Sequence, residues 1–121
     1  MDFQLAPDVI EMKKSVRDFI DHTVDSIADQ IDKEDRIPEH IMKMTKEMGL
    51  FGLSIPEEYG GTGLNMVGKC GIYEEIGRTS NGYTTVIGAH TGIGSVGIVE
   101  MGTEGQKQKY FLVKLRATSN I

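Results

Sequence analysis

The chain has little of what several common kinds of site require. Cys70 is its only cysteine, so a disulfide within the chain is impossible. We interpret Cys70 as a small buried hydrophobic residue, not a nucleophile. The three histidines, His22, His40 and His90, are far apart and lack the short spacings of metal-ligand motifs. We therefore expect no metal site.

Long apolar runs and basic clusters are missing too. No stretch approaches the roughly 18 continuous apolar residues that a membrane span needs. The 13 Lys and Arg residues are scattered and are outnumbered by 18 Asp and Glu residues, which argues against nucleic acid as a partner. Asp2 and Asp8 precede any apolar core, so the N-terminus does not resemble a secretory signal. We expect a cytoplasmic protein.

Glycine is missing from the first 48 residues, although the chain holds 15 glycines in all. In residues 9–31 the apolar side chains recur at steps of three and four, which is typical of a helix with one buried stripe. A row of carboxylates follows the opposite side, and we interpret it as a solvated surface, not as a cation site. Arg17 lies four residues before Asp21, so we expect local ion pairs along this row.

The rest of the chain also favours helices. We predict helices over residues 38–48, 65–79 and 82–101, with an ordered loop over 50–63 whose apolar residues pin it to the core. Thr103 and Gln106 fit a capping box at the start of a last helix, whose apolar side would be Tyr110, Phe111 and Leu115. No convincing alternation indicates strands. The prediction is a single all-α domain, an up-and-down helical bundle of about five or six helices.

The segment 82–101 holds five glycines, and each one inside a helix costs up to about 1 kcal/mol relative to alanine. Two explanations are open. Gly88, Ala89 and Gly92 could form a smooth face for close helix packing, or they could leave a groove open for a ligand. His90, in the middle of the segment, could be a hydrogen-bonded structural residue or a general base.

Four segments together resemble the acyl-CoA dehydrogenase family. The loop signature of that family is similar to residues 48–63, Met-Gly-Leu-Phe-Gly-Leu-Ser-Ile-Pro-Glu-Glu-Tyr-Gly-Gly-Thr-Gly. Residues 73–76, Tyr-Glu-Glu-Ile, resemble a family helix that ends in Glu-Glu, and residues 89–94, Ala-His-Thr-Gly-Ile-Gly, resemble its substrate-side helix. Residues 101–110, Met-Gly-Thr-Glu-Gly-Gln-Lys-Gln-Lys-Tyr, are close to the start of the next helix. The resemblance covers essentially residues 3–115.

This resemblance implies that residues 1–121 are the N-terminal α-helical domain of an FAD-dependent enzyme that introduces an α,β double bond into acyl-CoA thioesters. In the family a β-domain and a C-terminal helical domain follow, and they hold the flavin and the glutamate base. We therefore expect no catalytic or cofactor-binding residue here, and we expect the base beyond Ile121. The full-length protein would use FAD, acyl-CoA and electron-transfer flavoprotein, and would be a homo-oligomer. The isolated chain would be inactive and would hold no FAD.

Matching the substrate-side helix implies which residues line the acyl chain. They are Thr85, Val86, Ala89 and Ile93, whose offsets of zero, one, four and eight lie on a single helical face. The resemblance does not fix the chain length of the substrate. The alternative hypothesis is a stand-alone helical interaction module that kept the fold without catalysis.

Overall fold

The computed structural model describes residues 2–116, with side chains up to residue 111. Within this range the secondary structure is helical and no strand occurs, which confirms the all-α prediction. The α-helices are α1 (Pro7–Phe19), α2 (Ala28–Glu34), α3 (Glu39–Glu47), α4 (Met66–Ile76), α5 (Asn81–Gly88), α6 (Val96–Met101) and α7 (Glu104–Arg116). Short helical turns join α1 to α2 and α5 to α6, so these helices form five longer segments.

The predicted first helix is present, but its middle is irregular. Between α1 and α2 the backbone passes through a π-helical turn, Ile20–Val24, and a 3₁₀ turn, Asp25–Ile27. Pro7 occupies the first turn of α1, where its missing N–H needs no partner. The buried stripe continues through the irregular turns, because Ile20 and Val24 are fully buried.

The loop after α3 is part of the core, as predicted. Gly49 has a φ of 77° and ends α3 in the left-handed conformation that favours glycine. The apolar residues of the loop are at most 2 % exposed; they are Leu50, Phe51, Leu53 and Ile55. The loop contains two 3₁₀ turns, Leu50–Gly52 and Glu57–Tyr59.

Gly61 closes this loop against its own backbone. A Cβ at this position would lie 1.9 Å from the carbonyl oxygen of Ile55, so only glycine fits. The two residues that follow Gly61 make backbone hydrogen bonds to the start of the loop: Thr62 donates its N–H to the Gly52 carbonyl, and Gly63 donates its N–H to the Ile55 carbonyl. The adjacent glycines of the signature therefore fold the loop back on itself.

Helix α4 packs along α1 with Cys70 on its outer side. The exposed side of the helix includes Cys70, so the prediction of a buried thiol was wrong. Gly71 lies against Leu5, and a Cβ there would come within 3.1 Å of the leucine side chain. The inward face consists of glycines, isoleucines and one carboxylate, which are Gly68, Gly71, Ile72, Glu75 and Ile76.

The carboxylate of Glu75 is 2 % exposed and lies between α1 and α4. Arg17 donates from Nε and Nη2 to its two oxygens, each at 2.9 Å. Lys13 Nζ lies 3.8 Å from Oε1 and Arg78 Nη1 lies 3.5 Å from Oε2. The hydrogen bonds from Arg17 outweigh the effect of burial and hold the pKa of Glu75 below its ordinary value. The same pairing raises the pKa of Arg17.

The carboxylate row on α1 and α2 also makes tertiary contacts. Arg17 pairs with Glu75, so the local pair predicted with Asp21 was wrong; Asp21 pairs instead with Arg78, at 3.1 Å. Side chains of residues 79 and 80 donate to Asp25 and Asp32. These carboxylates therefore hold residues 78–80, which follow α4, against the segment from α1 to α2.

The start of α7 has the predicted capping box. Thr103 donates its backbone N–H to Gln106 Oε1 at 2.9 Å, and Gln106 donates its N–H to Thr103 Oγ1 at 3.2 Å. Tyr59, from the loop, donates its hydroxyl to Glu104 and lies edge-on to the buried ring of Phe111. Tyr110 is partly exposed, and the side chain of Leu115 lies outside the described residues.

Candidate functional site

One side of α5 and of the π-helical turn after it is open to solvent. We call the turn Ala89–Ile93 the π-turn. The outer face, as we use the term, consists of small and aliphatic residues on these two elements: Thr85, Gly88, Ala89, Gly92 and Ile93. Ile93 is 91 % exposed, which is unusual for an isoleucine in a folded domain.

The four residues that the resemblance assigned to the acyl chain do not all share this environment. Thr85 and Ile93 are exposed and Ala89 is half-buried, and helical spacing aligns the three along the outer face. Val86 is half-buried as well, but it packs against the hydrophobic core. The structure thus brings three of the four to one open surface and turns the fourth toward the interior.

The glycines of the outer face are not used for close packing within the described chain. A Cβ added at Gly88 or at Gly92 would meet no atom within 4 Å. Among the described residues, these two glycines therefore do not pack closely against another helix. The space in front of them is open in this part of the chain, as the groove explanation requires.

The inner side of the same elements is tightly packed. Ile87, His90 and Thr91 are at most 2 % exposed. The ring centroid of His90 lies 4.7 Å from that of Phe51, in the signature loop. His90 is thus a packed residue behind the outer face, so this structure does not support a general base acting on a ligand in front of it. The signature loop supports the π-turn from behind.

The π-turn has a defined hydrogen-bond pattern. Gly94 donates its N–H to the Ala89 carbonyl, five residues back, at 2.8 Å. Ser95 donates its hydroxyl to the carbonyl of His90 at 2.7 Å. Thr91 donates its hydroxyl to the carbonyl of Ile87, four residues back, at 2.8 Å. π-helical turns are rare in proteins, and those that occur are often found at functional sites.

A separate, shallow groove of about 320 Å³ lies between α6 and α7. Its lining is mostly apolar and consists of Gly97, Ile98, Met101, Gly102, Gln106 and Tyr110. Met101 is 86 % exposed. Exposed apolar surface is therefore present at α6 and α7 as well as at the π-turn.

The described residues hold no group of three or more His, Cys, Asp or Glu side chains that could bind a metal ion. In the same part of the chain, every helix is too short or too polar to cross a membrane.

Residues 7–116 match the family model described as "Acyl-CoA dehydrogenase, N-terminal domain". The chain belongs to the acyl-CoA dehydrogenase family. The match covers all the helices, from the start of α1 to the end of α7. The loop signature and the capping box, on which the resemblance was based, both lie inside it.

Individual relatives agree with this assignment. The chain is 35 % identical over 101 residues to an acyl-CoA dehydrogenase of Bacillus subtilis, covering 84 % of this chain and 27 % of the relative. It is 33 % identical over 112 residues to a short-chain specific acyl-CoA dehydrogenase of Clostridium acetobutylicum, covering 93 % and 30 %. The chain thus spans less than a third of the length of these curated relatives.

A solved structure has the same fold. It is reported as "Electron transferring flavoprotein of Acidaminococcus fermentans: Towards a mechanism of flavin-based electron bifurcation". The TM-score is 0.84 at 29 % sequence identity, and the match covers 98 % of this chain and 31 % of that chain.

Sequence reasoning missed the side chains that hold the outer face in place. Phe51 and Tyr73 contact the π-turn from the signature loop and from α4. Tyr73 is 18 residues from its partner, so no local spacing indicates the pair. The glycines of the segment and the hydroxyls of Thr91 and Ser95 are the signals that could have indicated an irregular helix there.

Proposed function

We propose that this chain is the N-terminal domain of a flavin-dependent acyl-CoA dehydrogenase, and that its outer face forms one wall of the acyl-chain cleft. The full-length protein would introduce an α,β double bond into acyl-CoA thioesters. The observation that carries the proposal is the open space at Gly88 and Gly92, next to the residues that the resemblance of 89–94 assigns to the substrate side.

The chemistry of the outer face suits an alkyl chain. Its surface is carbon and backbone, with the hydroxyl of Thr85 as its side-chain polar group. Apolar pockets with few polar groups are typical for such ligands. Glycine and alanine leave room for methylene groups, and Ile93 offers apolar area that gains by being covered.

The same face does not fit FAD itself. The diphosphate of the cofactor needs N–H or cationic donors, and the residues of the outer face supply neither. We therefore assign FAD, together with the catalytic glutamate, to the part of the full-length protein beyond this chain. Electron-transfer flavoprotein as the acceptor, a homo-oligomeric state and a cytoplasmic location belong to the same proposal. The isolated chain would bind no FAD tightly and would be inactive.

The test is a chain-length series in the full-length protein that carries this domain. Replacing Ala89 with leucine adds bulk to the outer face, and overpacking a fitted site costs roughly 1–3 kcal/mol. Only thioesters that reach this depth meet the added bulk. We expect kcat/KM to fall roughly 5- to 150-fold for the longest acyl-CoA substrates and to change little for short ones.

Ala28→Leu is the matched control. Ala28 is also a half-buried alanine, but it lies on α2, away from the outer face. Its replacement should lower the melting temperature without changing how kcat/KM depends on acyl-chain length. A uniform loss at all lengths in Ala89→Leu, with a lower melting temperature, would reject the cleft wall. An inactive full-length protein without bound flavin would favour the interaction module.

A further inference from the structure

Tyr73 and Thr91 connect α4 to the π-turn through their hydroxyl groups, whose oxygens are 2.7 Å apart. A hydroxyl has one proton, and Thr91 donates its proton to the carbonyl of Ile87. Tyr73 must therefore be the donor to Thr91. Thr91 is fully buried and its bond to the carbonyl is buried, while the bond from the half-buried Tyr73 is partly buried.

The bond meets the π-turn at its middle residue. Thr91 lies between Ala89 and Ile93 in sequence and faces the interior, while those two lie on the outer face. A threonine hydroxyl bonded to a carbonyl four residues back perturbs the regular helix. The added bond from Tyr73 fixes this arrangement to α4, which is itself held against α1 by Glu75.

We propose that Tyr73 is a positioning residue for the acyl chain, an inference that rests on the function proposed above. Tyr73 acts through Thr91. The hydroxyl pair holds the π-turn, and the π-turn sets the rotation at which Ala89 and Ile93 face the cleft. Without the pair the turn can relax toward a regular α-helix, which moves Ile93 around the helix axis. Substrates that extend along both residues lose the most from that movement.

The chain contains a matched control for this inference. Tyr83 contacts Thr45 at 2.7 Å, and Thr45 donates to the carbonyl of Ile41, also four residues back. The chemistry is the same, but this pair joins α5 to α3, before the π-turn begins. Loss of either tyrosine hydroxyl removes the hydrogen bond that the buried threonine hydroxyl accepts.

The experiment measures kcat and KM of the full-length protein across a series of straight-chain acyl-CoA lengths. We expect Tyr73→Phe and Thr91→Val to lower kcat/KM roughly 3- to 10-fold for the longest substrates, mainly by raising KM. Short substrates should be unaffected. Thr91→Ser keeps the hydroxyl and should retain the wild-type profile. Tyr83→Phe should lower the melting temperature with the same effect at every length.

A uniform change at all lengths in Tyr73→Phe, an unchanged profile, or the same graded loss in Tyr83→Phe would each overturn the inference. These results are distinct from a failure of the proposed function. If the wild-type protein turns over no thioester of any length, the proposed function is wrong, and the inference falls with it. If turnover depends on Ala89 but not on Tyr73, only the positioning role is wrong.

Discussion

At the scale of single residues, Glu75 is a buried carboxylate that joins α4 to α1. It has three cations around it, and Arg17 supplies two hydrogen bonds of 2.9 Å. A buried charge is tolerated only when it is paired in this way. Its neighbour Glu74 is 71 % exposed and pairs with Lys13, so the two adjacent carboxylates differ in burial and in pairing.

Replacing Glu75 with glutamine should destabilise the fold by about 2 kcal/mol, because it leaves Arg17 and its neighbours without a counter-charge. The figure is below that of a fully buried pair, since Arg17 is half exposed. The matched change Glu74→Gln should cost less than about 0.5 kcal/mol. Urea unfolding at pH 7 measures both, and equal effects of the two substitutions would contradict the assigned role.

The lowered pKa of Glu75 also predicts a pH dependence. Its stabilisation is complete above the pKa of the unfolded state and is lost as the pH falls through the lower pKa of the folded state. The difference in the free energy of unfolding between wild type and Glu75→Gln should therefore stay constant as the pH falls from 7 to about 4.3. It should shrink once the pH falls below about 4.3, the ordinary pKa of a glutamate. A difference that grows on acidification would refute the ion pair as its source.

At the scale of elements, α5 and the π-turn combine a tightly packed inner side with an open outer face. Gly88 has helical dihedral angles, with φ −61° and ψ −43°, and nothing lies within 4 Å of its missing Cβ. A glycine in such a position lowers helix stability with no packing gain within the chain. Gly88 therefore lowers the stability of the helix and leaves the outer face without a side chain at this position.

Gly88→Ala should raise the free energy of unfolding by up to about 1 kcal/mol. In the full-length protein the same change should lower activity on long acyl-CoA substrates, because the methyl group projects into the proposed cleft. Gly61→Ala is the contrasting control and should be strongly destabilising, since its Cβ would overlap the Ile55 carbonyl. Thermal unfolding measures both, and a destabilised Gly88→Ala would show that the site is packed after all.

At the scale of the whole molecule, the described chain leaves apolar side chains uncovered from the π-turn to α7. Ile93 and Met101 are 91 % and 86 % exposed, and Val96 and Tyr110 are partly exposed. Monomeric soluble proteins seldom leave large contiguous apolar patches open. The chain also spans less than a third of its curated relatives, so this surface agrees with coverage by other parts of a longer protein.

The isolated chain should self-associate through this surface. We expect the weight-average mass in sedimentation to rise with concentration, and we expect the double change Ile93→Ser and Met101→Ser to suppress the rise. Phe3→Ser removes an exposed aromatic residue at the other end of the chain and should have no effect. A wild-type chain that stays monomeric at high concentration, with no binding of a hydrophobic dye, would contradict this prediction.

The sequence by itself determined the elements whose cause is local. The three-and-four spacing predicted the helical path of residues 9–31, and Thr103 with Gln106 predicted the start of α7. The motifs also indicated the family, because the signature loop and the capping box are short, contiguous segments that can be recognised from the sequence alone. In each case the deciding contacts join residues a few positions apart.

Only the tertiary structure decided which faces are buried and what holds them. Glu75 lies inside and Cys70 outside because cations from α1 and from Arg78 neutralise a charge that sequence reasoning assigns to the surface. The same applies to Tyr73, whose bond to Thr91 spans 18 residues, and to the open space at Gly88. These features depend on the distances between elements, and the spacing of residues along one helix does not contain that information.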